Sequence, residues 1–207
     1  MNQREVWDNI ADDWSKKRVN PVTDTIEFLR NKKGLILDLG CGAGRNLIAT
    51  EGNIIAADFS YRQISIARNK TNKEQLDIDL IVSDALDLPF KDNSFDAIAV
   101  SNAFHCIKWN KRNAALKEII RIAKDGASVF ISVWNRDQPR FAGAKKESYI
   151  GWNVNGKRYE RYYYLYSKDE FEALLKKHFK NVKVLGSREK AFGKYSKNII
   201  AVAVVKK

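Results

Sequence analysis

Three glycines at alternate positions, Gly40, Gly42 and Gly44, close the run LILDLGCGAG, and Asp58 ends the apolar run of IIAADFS eighteen residues after the first of them. Residues 35–39 are apolar enough for a buried parallel strand, and the glycines remove every Cβ where the backbone must turn closely around a ligand. An acid about twenty positions on, at the end of the next strand, is placed to accept hydrogen bonds from ribose hydroxyls. Together these residues describe a nucleotide-shaped socket. Their spacing departs from the dinucleotide fingerprint, whose third glycine would fall where Arg45 stands. Alone, such a turn also suits any tight strand-to-helix connection.

The elements around the socket alternate. Residues 4–17 read as a helix with Val6, Trp7, Ile10 and Trp14 on one face, and a second helix at 22–30 follows Pro21. A helix at 60–70 comes after the second strand. LIVSDAL, at 80–86, is a third strand that ends in Asp84, and FDAIAVS, at 95–101, is a fourth that opens onto Asn102, Phe104 and His105. A helix at 110–124, a turn at Asp125 and Gly126 and a fifth strand at 127–134 come next. Beyond Trp134 the rhythm breaks until an alternating strand at 157–166. A helix at 168–179 and strands at 181–189 and 197–205 finish the chain. This order implies an α/β fold, a parallel sheet with helices on both faces. The 207 residues, 44% of them hydrophobic, suit a single domain over 1–207 with an insertion at 135–166.

The amino terminus has no apolar targeting core and the longest apolar run, at 199–205, is too short to span a bilayer, so a soluble cytoplasmic protein without membrane contact is expected. The cysteines are Cys41 and Cys106 and the histidines His105 and His178. That inventory builds neither a disulfide framework nor a structural zinc site, and no metal is expected.

With the glycine turn, Asp58, Asp84 and the strand leading to Asn102 and His105 in this order, the chain resembles the class I S-adenosylmethionine-dependent methyltransferases. The resemblance implies a Rossmann-like, seven-stranded, mostly parallel sheet completed by the two terminal strands. It implies S-adenosylmethionine as cofactor, released as S-adenosylhomocysteine, with the methionine part over the glycine turn, the ribose on Asp58 and the adenine at Asp84 and Ala85. The cofactor set it implies is Asp38, Gly40, Cys41, Gly42, Gly44, Asp58, Phe59, Ser60, Asp84, Ala85 and Ser101.

VWDNIADDW, LDLGCGAG, VSDALDLPF, AFHCI, VW, GW and RYYYLYSKDEF occur in an order that resembles, more narrowly, the tRNA wobble-uridine methyltransferases. Those enzymes methylate the carboxylate of 5-carboxymethyluridine in the anticodon loop to a methyl ester, and commonly work with a small zinc-containing activator that pairs with an edge strand of their sheet. The chain departs from the pattern at Cys106 and Tyr164, where histidine is frequent, and at Ile199, where tryptophan is expected.

Charge bears on the partner. Lys and Arg total 37 against 25 Asp and Glu, and a net of +12 is a footprint of a polyanion, although a lysine-rich surface with no nucleic-acid role gives the same sum. In the insertion Arg136, Arg140, Lys145, Lys146, Lys157, Arg158 and Arg161 are interleaved with Phe141, Tyr149, Trp152, Tyr159, Tyr162, Tyr163, Tyr164 and Tyr166. Aromatic faces stack on unpaired bases while cations follow phosphates, so a tRNA anticodon loop is the expected partner, bound through 136–161, with some of the aromatics in the core.

Methyl transfer from a sulfonium is an in-line displacement in which the protein mainly positions the acceptor. A carboxylate acceptor needs no strong base, only a cationic or hydrogen-bonding cradle. Arg18, His105 and Arg161 are candidates for it, and Asn102 for orienting the acceptor. Each has a plainer alternative: a helix-start histidine bonded to backbone, arginines on the surface or on phosphates, and Trp7 and Trp14 as core. Two other functions stay open, a small-molecule methyltransferase and a catalytically silent RNA-binding or partner subunit. The basic aromatic insertion argues against the first, the intact glycine turn with Asp58 and Asp84 against the second.

Overall fold

The computed structural model describes residues 2–191 and 195–207. Helix α1 (Gln3–Lys17) starts at a capping box, in which the Asn2 side chain accepts from the Glu5 amide and Glu5 reaches back. Then follow α2 (Thr23–Arg30), β1 (Leu35–Leu39), β2 (Asn53–Asp58), α3 (Tyr61–Lys73), β3 (Ile78–Val82), β4 (Phe95–Ser101), α4 (Arg112–Ile122) and β5 (Ala123–Trp134). A hairpin of β6 (Glu147–Val154) and β7 (Lys157–Tyr164), helix α5 (Lys168–Lys176), β8 (Lys180–Gly186), the short pair β9 (Lys190–Ala191) and β10 (Tyr195–Ser196), and β11 (Asn198–Val204) complete the order.

Seven strands form one sheet in the order β3-β2-β1-β4-β5-β11-β8. The strands from β3 to β5 run parallel and β11 is antiparallel to both its neighbours, as expected. Both faces are covered because the strands are apolar on both. Leu37 and Leu39 pack with Ile98, Val100, Leu116 of α4 and Leu175 of α5, while Ile36 packs with Leu29 of α2, Ile54 and Ile64 of α3 on the opposite face. Each such side chain contributes roughly 1.5–3 kcal/mol when buried.

Helix α1 is pinned between the sheet's α3 and the hairpin. Asp8 accepts from the Ser60 hydroxyl at 2.6 Å, Arg62 grips Asp12 with two bonds, and Trp152 donates to Asp13 at 2.8 Å. The Gln3 side chain joins the edge of β7, donating to the Glu160 carbonyl and accepting from the Tyr162 amide. The helix therefore closes one side of whatever lies over the sheet's carboxyl ends.

Several expected boundaries move. The third strand ends at Val82 instead of continuing to residue 86, because Asp84 accepts from the Leu86 amide at 3.0 Å and turns the chain. Asp125 and Gly126 do not separate helix from strand: β5 already begins at Ala123, and Gly126, at φ +77°, sits in an irregularity of the β4–β5 ladder while its amide bonds the Val205 carbonyl. Strand β6 was not expected. Asn155 and Gly156, at φ +48° and +77°, form the two-residue turn that right-twisted hairpins favour, so the insertion is a regular antiparallel ladder from Glu147–Tyr164 to Val154–Lys157.

Gly40 shows why the turn after β1 is glycine-rich. Its φ is +75°, and a Cβ would stand 2.2 Å from the Ala103 methyl. Gly40→Ala should therefore lower unfolding free energy by at least about 2 kcal/mol through left-handed strain and overpacking. Gly126→Ala, with a similar φ but open space around it, should cost only about 1 kcal/mol. Urea unfolding of the two variants measures the difference.

Candidate functional site

The connection after β1 leads to β2 on one side while β4 continues the sheet on the other, and ligands of open α/β sheets bind where strand order reverses in this way. A cavity of about 710 Å³ opens there. Its floor is the turn Gly40–Cys41–Gly42, its sides come from Asp58 and Phe59, from Ser83 to Leu86 and from Ser101 to Ile107, and α1 roofs it with Trp7, Trp14 and Arg18.

Asp58 organises the floor. One carboxylate oxygen accepts from the Gly42 amide and the other from the Ser60 amide, both at 2.9 Å. Each oxygen keeps a lone pair for a ribose hydroxyl. Burial pushes the Asp58 carboxyl up to about 6. Asp38, fully buried, is pushed up to about 7 by burial and then by the Asp58 charge, and neither of its oxygens has a protein partner. A buried unpartnered acid is costly, and an ammonium group or water relieves it.

Of the expected cofactor residues, Gly40, Cys41, Gly42, Asp58, Phe59, Asp84, Ala85 and Ser101 line the cavity. Asp38, Gly44 and Ser60 stand behind its wall: Gly44 packs on Ala67, and Ser60 caps α3 by accepting from the Gln63 amide. Of the acceptor candidates, Arg18, Asn102 and His105 face the cavity and Arg161 does not. Asn102 holds φ +54° with a buried, unpartnered side-chain oxygen, a local strain of the kind found at functional sites. His105 lies against the stacked pair of Tyr163 and Trp134, at ring distances of 5.3 and 5.1 Å, with Nδ1 unpartnered. Burial, and then the Arg140 charge, lower its pKa to about 3, so it acts as a neutral hydrogen-bonding group and not as a cation. Trp7 and Trp14 are both core and wall, meeting edge to face at 5.1 Å.

The aromatic insertion differs from the expected stacking platform. Phe141, Tyr159, Tyr162, Tyr163, Tyr164 and Tyr166 are buried, because one face of β7 packs on α1 and the strand's end packs on the sheet's core. Tyr162 bonds Glu147 and the Trp109 amide, and Tyr164 bonds Glu170. Tyr149 stays 57% exposed.

Sequence reasoning missed Arg45, Gln63, Arg140 and Asn198 as cavity residues. Gln63 is buried with both amide atoms unpartnered, and a Cβ on Gly42 would point at its oxygen from 3.8 Å. Its place in the first turn of α3, five residues after Asp58, was the available signal.

A family model described as a methyltransferase domain matches residues 37–131. An Encephalitozoon cuniculi protein named as a methyltransferase is 31% identical over 156 residues, 70% of each chain. The tRNA (carboxymethyluridine(34)-5-O)-methyltransferase alkbh8 of Xenopus tropicalis is 33% identical over 138 residues, 65% of this chain and 21% of that protein. The chain spans between about a fifth and a third of the length of the tRNA methyltransferases it matches. Among solved structures, the methyltransferase complexed with the Haloferax volcanii Trm112 activator superposes with a TM-score of 0.73 at 19% identity, over 100% of this chain and 98% of that one. The chain belongs to the class I S-adenosylmethionine-dependent methyltransferases.

The residues present fit that cofactor. The Cβ-free turn leaves room for the chain of its methionine part, Asp58 offers lone pairs to a diol, and neither Asp38 oxygen has a hydrogen-bond partner. Asp58→Ala should weaken S-adenosylmethionine binding by about 1–3 kcal/mol, measured by calorimetry. Asp38 also sets a pH dependence. The native state holds its proton to about pH 7 whereas the unfolded chain releases it near 4, so the native state binds more protons in that window and its stability falls as pH rises through it. Asp38→Asn should flatten the fall in urea midpoint between pH 4.5 and 7.5.

Proposed function

We propose that this chain is one methyltransferase domain that methylates a tRNA anticodon-loop uridine, with the carboxylate of 5-carboxymethyluridine at the wobble position as acceptor. The observation that carries this reading is the set of cationic and neutral side chains at the cofactor cavity, Arg18, Asn102 and His105, none of which is an anionic base. Arg18, at the end of α1, has a buried, unpartnered Nε, and its guanidinium lies over Trp14 at 5.0 Å. His105 is neutral and buried. Such a set holds an anion that is already nucleophilic and does not abstract a proton.

When bound, S-adenosylmethionine supplies a methyl carbon activated by its sulfonium. Arg18 would pair with one carboxylate oxygen of the acceptor and leave the other free to attack in line. Asn102, held by its backbone bond to Ser132, and His105, packed against the Trp134–Tyr163 pair, would fix the plane of the acceptor. The oxygen–carbon bond forms as the carbon–sulfur bond breaks, and no proton moves. The names and extent of the tRNA-methyltransferase relatives and the +12 charge support the substrate class.

The activator expected from the sequence would sit at an edge of the sheet. Edge strand β3 carries Ile78, Leu80, Ile81 and a 40% exposed Val82 around a single charge, the exposed Asp79, whereas the opposite edge, β8, is guarded by Lys180 and Lys183. A partner strand added to β3 would complete the sheet, and a Trm112-type protein of the kind in the Haloferax complex is the proposed occupant. A cytoplasmic site of action accords with this reading. Among the described residues no helix is long and apolar enough to cross a membrane.

Labelled methyl transfer to an anticodon stem-loop bearing 5-carboxymethyluridine, with and without the activator, tests the reading. A product labile to mild base is expected, and a base-stable methyl group would refute the carboxylate acceptor. Because His105 stays uncharged, turnover should show no histidine limb between pH 6 and 8. Arg18→Ala should lower turnover by about 10²-fold or more with little change in S-adenosylmethionine affinity.

A further inference from the structure

A second cavity, of about 530 Å³, adjoins the first, and Arg18, Trp134, Arg140 and Tyr149 line both. Its remaining walls come mostly from the insertion, with Trp152 and Arg161 among them. Arg161 is buried, and its guanidinium lies 4.9 Å from the Trp14 ring and 4.8 Å from that of Trp152. It donates to the Tyr163 hydroxyl and the Gly151 carbonyl, which leaves its buried Nε without a partner. Arg140 lies over Trp134 at 4.7 Å and Phe141 at 4.4 Å.

Arg62, Arg121, Arg158 and Arg188 each meet a carboxylate. Arg18, Arg140 and Arg161 meet none among the described residues, although they share one cavity. Guanidiniums spread over aromatic faces still present their N–H edges, the geometry that binds phosphate oxygens. One acceptor carboxylate leaves most of these donors unused. At the mouth common to both cavities Tyr149 offers a ring face open to solvent.

We propose that the second cavity is a subsite for the nucleotide flanking the methyl acceptor, with its phosphate on the edges of Arg140 and Arg161 and its base stacked on Tyr149. The inference rests on the tRNA reading and deepens it: the flanking nucleotide makes the site select a polymer over a free nucleoside. Volume is no obstacle, since ligand sites commonly span about 300–1,000 Å³.

The test is fluorescence anisotropy with a labelled seven-nucleotide anticodon-loop RNA and protein saturated with S-adenosylhomocysteine, alongside methylation of the stem-loop and of the free nucleoside. Arg140→Gln should weaken RNA binding about tenfold and reduce the log–log salt slope by about 0.7. Tyr149→Ala should weaken it about tenfold with the slope unchanged. Both should lower the kcat/KM ratio of stem-loop to nucleoside, and Lys183→Gln on β8 serves as the charge control. Affinity for S-adenosylhomocysteine reports that each variant is folded. If the wild type methylates the stem-loop but Arg140→Gln and Tyr149→Ala bind RNA as it does, or affect nucleoside and stem-loop alike, the subsite is overturned and the tRNA reading stands. A wild type that neither binds nor methylates the RNA overturns both.

Discussion

The carboxylate of Asp58 ties the glycine turn to the end of β2, and the site depends on that tie. By holding the amides of Gly42 and Ser60 it fixes the turn against the first residue of the α3 cap. Ser60 in turn donates to Asp8 and so fastens α1 over the cavity. The floor, one wall and the roof thus share a single buried acid. Asp38 lies behind the same turn with neither oxygen hydrogen-bonded, and burial and the Asp58 charge push its pKa up to about 7 against the pull of Arg45, so a cationic methyl donor bound at this turn favours its ionisation.

Opposite that acidic floor the charge reverses. Arg18, Arg45 and Arg140 line the cavity, and Arg161 stands in the chamber beside it. Burial lowers the pKa of Arg45, Arg140 and Arg161, and Arg18 lowers each of them further. Aromatic rings take the place of carboxylates around three of them. Rings hold a guanidinium without neutralising it, which preserves its charge for an anionic acceptor. A positive acceptor side facing a negative cofactor side orients a reaction between an anion and a sulfonium.

The parallel sheet, the glycine turn and Asp58 were legible in the sequence because each rests on local chemistry: apolar runs, missing Cβ atoms and one acid at a fixed spacing. The insertion was less so. Asn155-Gly156 is a hairpin signal that the reading passed over, and the burial of Tyr162, Tyr163, Tyr164 and Tyr166 depends on α1 and on the turn at Trp109 far away in sequence, while an exposed stacking strand would carry the same alternation of aromatics. The places of Arg140 and Gln63 at the cavity were missed for a related reason. Arg140 has nothing near it in the chain that distinguishes it from the other insertion cations, and Gln63 only its spacing after Asp58, so the tertiary structure is what turns both toward the cavity.

Calorimetry of S-adenosylmethionine binding at pH 6.5 in two buffers of different ionisation enthalpy tests the central claim, that the buried acids at the glycine turn await a cationic ligand. Asp38, with a pKa of about 7 in the free protein, should ionise on binding, so the protein should release a substantial fraction of a proton, and Asp38→Asn should abolish most of that release. Binding heats that are independent of the buffer, or a release unchanged in Asp38→Asn, would contradict it.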